Sequence, residues 1–132
     1  MRSLMHLVVA GNPLTFTATL PGEPSSVPVA RRLVRGALPG CPRATDLMLA
    51  MTELASNAVL HSASGRGGTF TVRIRTAPQW ARIDVADDGP AAGPAAAGNG
   101  WGLAIVADVT DRNGATVADR GQRTAWAEVG WP

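Results

Sequence analysis

The strand-like segments of the chain, and the short turns between them, restrict its fold more than any other feature. Residues 69–76 and 80–86 are rich in β-branched and apolar residues, and a short turn separates them, so they predict a hairpin. Residues 115–118 and 123–129 predict a closing hairpin with its turn around Gly121. Strands joined by such short turns pair antiparallel. One largely antiparallel sheet is therefore expected.

Helices and one further strand complete the expected layout. Residues 14–20 alternate threonine with apolar side chains, a period of two that predicts a half-buried strand. The order of strands and helices predicts an α/β fold of the α+β sandwich kind, with the helices stacked on one face of the sheet. The expected helices run from Ser25 or Ser26 to Gly36, from a Thr45 cap to about His61, and over residues 101–110.

The spacing of apolar residues predicts which helix faces are buried, because residues at i, i+4, i+7 and i+11 lie on one side of a helix. Arginines at alternate positions of two strands, Arg73, Arg75 and Arg82, predict the exposed face of the sheet. The expected inward residues are Val29, Leu33 and Val34 in the first helix, and Leu47, Met51, Leu54 and Ala58 in the second.

Composition excludes several classes of protein. The 132 residues, 45% hydrophobic and 17% charged, suit one folded domain over residues 1–132, with residues 1–12 as an N-terminal extension or edge segment. The single cysteine, Cys41, excludes a disulfide framework and a cysteine-based zinc site. No apolar run is long enough to cross a bilayer, so a cytoplasmic protein without membrane attachment is expected. The arginines are scattered and the net charge is only +2, which disfavours direct nucleic-acid binding.

A polar stripe on the second helix is the first candidate site. Glu53, Asn57 and His61 are spaced four residues apart, and at roughly 100° per residue they share one side of the helix. The amide oxygen of Asn57 suits Mg²⁺ on a phosphate, and Glu53 could accept a proton from an attacking hydroxyl. Taken alone, Glu53 and Asn57 are more typical of a solvated helix face than of a site, and a histidine at a helix C-terminus suits the helix dipole.

Two glycine-containing stretches are the other candidates. Asp87, Asp88, Gly89 and Pro90 follow an apolar strand, where a carboxylate could accept a hydrogen bond from adenine, although such a sequence also forms plain turns. Glycines over residues 98–102 lead into a helix, which suits phosphate binding but also a linker. No strand feeds this run directly and no Gly-Lys-Ser/Thr ending follows it, so neither a Rossmann site nor a P-loop is indicated.

Four segments in this order resemble the GHKL ATPase superfamily, which includes gyrase, heat-shock chaperone, histidine kinase and mismatch-repair ATPases. ELASNAVLH, residues 53–61, looks like its N box, and RTAWAEV, residues 123–129, is similar to its final threonine-bearing strand. DDGP, residues 87–90, and GNGWGLAIV, residues 98–106, resemble its two glycine boxes. The length, and the absence of a helix pair with a phospho-acceptor histidine, point to its stand-alone anti-sigma-factor serine kinases. The resemblance covers nearly all of the chain from about Leu14.

The resemblance implies a fold, cofactors and residue roles. The fold is the Bergerat-type ATP-binding sandwich with one mixed, mostly antiparallel sheet, and the cofactors are ATP and Mg²⁺. Asn57 is the implied Mg²⁺ ligand on the ATP phosphates, and Glu53 is the implied general base for a substrate serine. Asp87 would accept from the adenine amine with support from Thr124, and Gly89 would shape the adenine pocket. Residues 87–100 would form an ATP lid. The phosphates would be wrapped by Gly98 and Gly100 of this lid and by Gly102 just after it.

Two departures from the family pattern leave the activity open. Ala91 stands where the first glycine box has a second glycine, and no Arg, Lys or His lies between Gly89 and Gly102 to meet the γ-phosphate. A missing cation costs phosphoryl transfer orders of magnitude. The expected function is a protein serine/threonine kinase acting on an anti-sigma antagonist, with a sigma factor as a second partner and a homodimer as an expected assembly. The alternative is a nucleotide-switched binding module without turnover.

Overall fold

The computed structural model of the protein describes residues 4–8, 13–89 and 103–132. The sheet is built by short strands of five to nine residues, and the helices lie between them in the chain. The strands are β1 (Leu4–Val8), β2 (Leu14–Pro21), β3 (Thr69–Ala77), β4 (Trp80–Asp87), β5 (Arg112–Val117) and β6 (Arg123–Gly130), and the helices are α1 (Ser26–Ala37), α2 (Ala44–His61) and α3 (Leu103–Val109), with a 3-10 turn at Ala63–Gly65.

The six described strands form one sheet in the order β1-β2-β3-β4-β6-β5. Each described pairing is antiparallel, so the predicted antiparallel sheet is confirmed, while a mixed sheet is not what these strands form. Both hairpins predicted from short turns, β3–β4 and β5–β6, are present. The closing hairpin begins earlier than predicted, at Arg112 instead of Ala115.

The described helices pack on one face of the sheet, as the sequence predicts. Side chains alternate across a strand, so Phe70, Val72 and Ile74 of β3 face the helices together with Ile83 and Val85 of β4. All five are at most 1% exposed. The residues between them on β3 and β4 point to the outer face, which includes Arg73, Arg75 and Arg82 as predicted.

Helix α2 lies across the sheet and supplies the predicted apolar face, since Leu47, Met51, Leu54 and Ala58 are all buried. In α1 one of the three predicted residues, Val34, is buried, whereas Val29 and Leu33 are only partly buried and pack against the core. The difference follows from helix rotation, which turns the buried residues Ala30, Val34 and Ala37 toward the sheet.

The predicted N-terminal cap is wrong for α2, whereas in α1 Ser25 occupies the predicted N-cap position without making a side-chain cap bond. Helix α2 begins at Ala44, one residue before Thr45, and the preceding residue Arg43 makes no side-chain cap bond. Helix α1 follows Ser25, whose side chain also makes none. In α2 the Nε of Arg43 instead donates to Oδ2 of Asp46 at 2.7 Å, so an ion pair closes the first turn. Of the helices in the described ranges, none has the length and apolarity required to cross a membrane.

Candidate functional site

A cavity of about 180 Å³ opens where β4 ends, between the sheet and the helices. Helix α2 forms one wall, α3 and β5 form another, and β4 and β6 form the floor. The cavity therefore brings together elements that are far apart in the chain. Its polar lining residues are Asn57, Asp87, Asn113 and Arg123, and its apolar ones include Leu54, Leu103 and Ala125.

Asp87 is the buried carboxylate of this cavity, with its side chain only 3% exposed. It is the last residue of β4 and faces the helix side of the sheet, directly opposite Arg123 of β6. Nη2 of Arg123 donates to Oδ2 of Asp87 at 3.0 Å, and the backbone N–H of Gly89 donates to Oδ1 at 2.7 Å. Burying a charge is costly unless it is paired and hydrogen-bonded, and both conditions are met here.

The turn after Asp87 is fixed in place by backbone contacts that require glycine. Gly89 has a φ of +81°, and a Cβ on it would lie 2.0 Å from the carbonyl oxygen of Gly121. The carbonyl of Gly89 accepts from the backbone N–H of Ala63 at 2.9 Å, which ties the turn to the end of α2. Oγ of Ser64 donates to Oδ2 of Asp88 and accepts from its backbone N–H, each at 3.0 Å. Gly89 thus shapes the position of Asp87 through the backbone.

The polar stripe of α2 is only partly directed at the cavity. Asn57 lines it, one turn along the helix from Glu53, which is half-buried and does not belong to the lining. His61 is the last residue of the helix and lies outside the lining as well. The structure therefore brings Asn57 and Asp87 together, while Glu53 stays a candidate base on the adjoining turn.

Thr124 does not reach this cavity. It lies opposite Ala86 in the β4–β6 register, so it points to the outer face of the sheet, where it lines a depression of about 420 Å³. Asp87 and Arg123 line this depression as well as the helix-side cavity. The supporting role of Thr124 in adenine binding stays a prediction, while its neighbour Arg123 faces the helix side and lines the cavity. The reason is the register of β6, which places residue 123 and not residue 124 across from Asp87.

Several predicted residues lie outside the described ranges. Gly98, Gly100 and Gly102 belong to residues 90–102, as do Ala91 and most of the expected ATP lid. The phosphate-wrapping role of the three glycines stays a prediction.

A second group of charged residues lies on the outer face of β4. Asp84 is 4% exposed, and three arginines surround its carboxylate. Oδ1 accepts from Nε and Nη2 of Arg82, both at 3.2 Å, and Oδ2 accepts from Nη2 of Arg75 at 3.3 Å, with Nε of Arg73 at 3.6 Å. The guanidinium of Arg82 also lies 4.2 Å from the ring centre of Trp126. The lining residues of the helix-side cavity do not include this group.

Arg43 makes a third polar cluster at the opposite end of the molecule. Its Nη1 donates to the carbonyl of Gly130 at 3.1 Å and to Oδ1 of Asp111 at 3.2 Å, and its Nη2 donates to the carbonyl of Val109 at 3.1 Å. The hydrogen bond to Asp46 is the main cause of a raised pKa of Arg43. The backbone N–H of Gly130 donates to Asp111 and is the main cause of a lowered pKa of that carboxyl, with Arg43 contributing.

The donor set fits a magnesium–nucleotide and not a metal held by protein alone. Across residues 4–8, 13–89 and 103–132, no group of three His, Cys, Asp or Glu side chains is arranged to hold a metal ion. Mg²⁺ is bound in proteins through few protein ligands, substrate phosphates and water. The amide oxygen of Asn57 at the cavity wall is suited to that role.

Residues 20–126 match the model of the histidine kinase-like ATPase domain. This match spans most of the chain, and the open antiparallel sheet with helices on one face is the fold expected of it. The protein therefore belongs to the histidine kinase-like ATPase domain family, and membership implies ATP as its ligand. A search of the curated proteins finds no match.

Proposed function

We propose that the protein is a Mg-ATP-binding regulator that phosphorylates a serine of an anti-sigma antagonist protein and also binds a sigma factor. One observation carries the nucleotide part of the proposal. Asn57 of α2 and Asp87 of β4, which come from two motifs with different predicted roles, line the same cavity in a chain of the ATPase family. The cavity supplies an oxygen donor for Mg²⁺, a buried acceptor for an adenine amine and apolar walls for a flat base.

The kinase step needs a base near the phosphates. Asn57 would hold the Mg²⁺ that neutralises the phosphate oxygens, and Glu53 lies one helical turn before it. Glu53 would accept the proton of the substrate serine hydroxyl while the serine oxygen bonds to the γ-phosphorus and ADP leaves. Family membership and the position of Glu53 next to the cavity wall support this role.

A second candidate function is a nucleotide-switched binding module without turnover. Two observations favour it: Glu53 lies outside the cavity lining, and residues 90–101 of the sequence contain no cationic side chain. Phosphoryl transfer depends on charge neutralisation and on a base that is positioned at the nucleophile, so both features weaken the kinase hypothesis. Such a module would bind its partner with different affinity in the ATP and ADP states.

Calorimetry of Mg-ATP and Mg-ADP tests the nucleotide part. We expect binding to the wild type and a loss of about tenfold or more for Asn57→Ala, because the metal ligand is removed. Ser56→Ala is the matched control, since Ser56 precedes Asn57 on α2 but lines a groove toward α1. Wild-type protein that is folded and does not bind either nucleotide at millimolar concentration would overturn the proposal.

Transfer of labelled phosphate separates the two candidates. The wild type is mixed with labelled ATP and an anti-sigma antagonist, and Glu53→Gln serves as the base-deficient variant. Transfer to serine that is lost in Glu53→Gln, with nucleotide affinity retained, supports the kinase. No transfer, together with partner binding that differs between ATP and ADP, supports the switch.

A further inference from the structure

Arg123 lies beside the carboxylate that is proposed to recognise adenine, and neither composition nor motif spacing pointed to it. Its guanidinium is held against Oδ2 of Asp87 at 3.0 Å, and both side chains line the helix-side cavity. The Arg123 side chain is 21% exposed, so water screens this pair much less than it screens a surface pair.

The pair keeps hydrogen-bonding capacity for a ligand. A carboxylate offers about four lone-pair sites, and Asp87 uses one for Arg123 and one for the N–H of Gly89. Nε of Arg123 is buried and has no hydrogen-bond partner among the described residues. A buried donor without a partner carries a free-energy cost, which a ligand acceptor would remove. An acceptor and a donor with unused hydrogen-bonding capacity therefore belong to two neighbouring residues that both line the cavity.

The edge of adenine has the complementary order. Its exocyclic N6 amine is a donor, and the neighbouring ring nitrogen N1 is an acceptor. Guanine and hypoxanthine present the reverse, with an acceptor O6 beside an N1–H donor. Guanine or hypoxanthine in the same pose would place its O6 against the carboxylate of Asp87 and its N1–H against the guanidinium of Arg123.

We propose that Asp87 and Arg123 read the two adjacent atoms of the base together, with Asp87 accepting from the N6 amine and Arg123 donating to N1. Arg123 is then a specificity-determining residue of the nucleotide site. This inference rests on the proposed function, because it requires that a purine nucleotide occupies the cavity. Buried polar groups of a site reject analogues that leave them unpaired, which gives the pair its discrimination.

The test measures the affinity of the whole protein for Mg-ADP, for 1-deaza-ADP, which has CH in place of N1, and for IDP. In the wild type we expect 1-deaza-ADP to bind about tenfold more weakly than ADP, and IDP more weakly still. In Arg123→Met, which keeps length without donors, ADP and 1-deaza-ADP are expected to bind equally. Arg120→Met is the matched control, since Arg120 is exposed in the β5–β6 turn and outside the cavity lining, and it should keep the wild-type ratio.

Asp87 loses its cationic partner in Arg123→Met, so thermal unfolding accompanies the titrations. The double variant Asp87→Asn/Arg123→Met removes both charges and replaces the single variant if that one does not fold. It is also expected to bind ADP and 1-deaza-ADP equally. A wild type that binds ADP and 1-deaza-ADP equally would overturn the inference. So would an Arg123→Met variant that still binds ADP more tightly than 1-deaza-ADP, or one that binds ADP more tightly than the wild type does. In each of those cases ADP still binds, which distinguishes them from a failure of the proposed function, where no nucleotide binds at all.

Discussion

Asp84 and Asp87 lie three residues apart on β4, and their surroundings differ more than their burial does. They are 4% and 5% exposed, but they point to opposite faces of the sheet. Three arginines surround the carboxylate of Asp84 on the outer face, while Asp87 has one arginine, one backbone N–H and a cavity. Burial of a carboxylate therefore does not mark a binding site here. What marks the candidate site is a carboxylate that lies beside a cavity and has hydrogen-bonding capacity left for a ligand.

The largest expected effect concerns the turn that carries Asp87. Gly89→Ala should lower the free energy of unfolding by about 3 kcal/mol or more, because a positive φ and a backbone clash act together. The clash is with the carbonyl of Gly121, 2.0 Å from the added Cβ. Gly40→Ala is the control, since Gly40 has a φ of +75° but open space around it, and about 1 kcal/mol is expected. Urea unfolding measures both, and equal losses would show that the contact with Gly121 does not hold the turn.

Nucleotide affinity should separate the two aspartates directly. Asp87→Ala removes the proposed adenine acceptor and leaves Arg123 without its partner, so we expect Mg-ATP affinity to fall about 100-fold, roughly 2.7 kcal/mol. Asp84→Ala should change it by about twofold at most, because Asp84 lies on the other face. Calorimetry measures both variants. Comparable losses from the two would contradict the assignment of the site to the helix side.

Asp84 should matter for the stability of the protein, although it is not expected to matter for nucleotide affinity. Asp84→Asn removes the carboxylate that Arg73, Arg75 and Arg82 share and leaves Glu128 as a partner of Arg82 at 3.6 Å. Breaking a fully buried pair costs about 3–5 kcal/mol. The three arginine side chains are 46%, 26% and 25% exposed, so solvent reduces the expected loss to about 2 kcal/mol. Asp119→Asn, at an exposed turn position, should change stability by less than about 0.5 kcal/mol. If urea unfolding gives the same small change for both variants, the arginine cluster is not structural.

The smallest effect is expected from an exposed aspartate. The pKa of Asp111 is lowered in the folded state by the N–H of Gly130 and by Arg43. Its stabilisation is therefore present above the unfolded pKa of about 3.9 and is lost as the pH falls through the lower folded pKa. The melting temperature of the wild type should exceed that of Asp111→Asn above pH 4, and the gap should shrink below it. A gap that grows on acidification would reverse the sign of the proposed interaction.

Sequence patterns predict the fold well because each depends on neighbouring residues. Alternation in residues 69–76 and 80–86, with the short turn between them, fixes a hairpin, and the apolar spacing from Leu47 to Ala58 fixes the buried face of α2. The motif at residues 53–61 and the acidic turn at Asp87 each contain one polar lining residue of the cavity, Asn57 in the wall and Asp87 in the floor. The start of α2 was not predictable in this way, since an ion pair from Arg43 takes the place of a capping hydroxyl.

The parts of the site that sequence could not supply depend on register between distant strands. Nothing near Arg123 in the chain indicates that residue 87 will face it, and a shift of one residue exchanges the faces of Arg123 and Thr124. The only available signal was a charged residue at the start of the last strand. Arg43 is similar, because its acceptors at Val109 and Gly130 follow it by 66 and 87 residues.

Helix α3 is held in place by hydrogen bonds at its C-terminal end. Arg43 holds the carbonyl of Val109 at the C-terminal end of this seven-residue helix, and Thr110 next to it bonds back to Val106. Leu103 at the other end lines the cavity and is 40% exposed. Helix α3 therefore joins two parts of the molecule: Arg43 fixes one end of the helix, and the other end supplies part of the cavity lining.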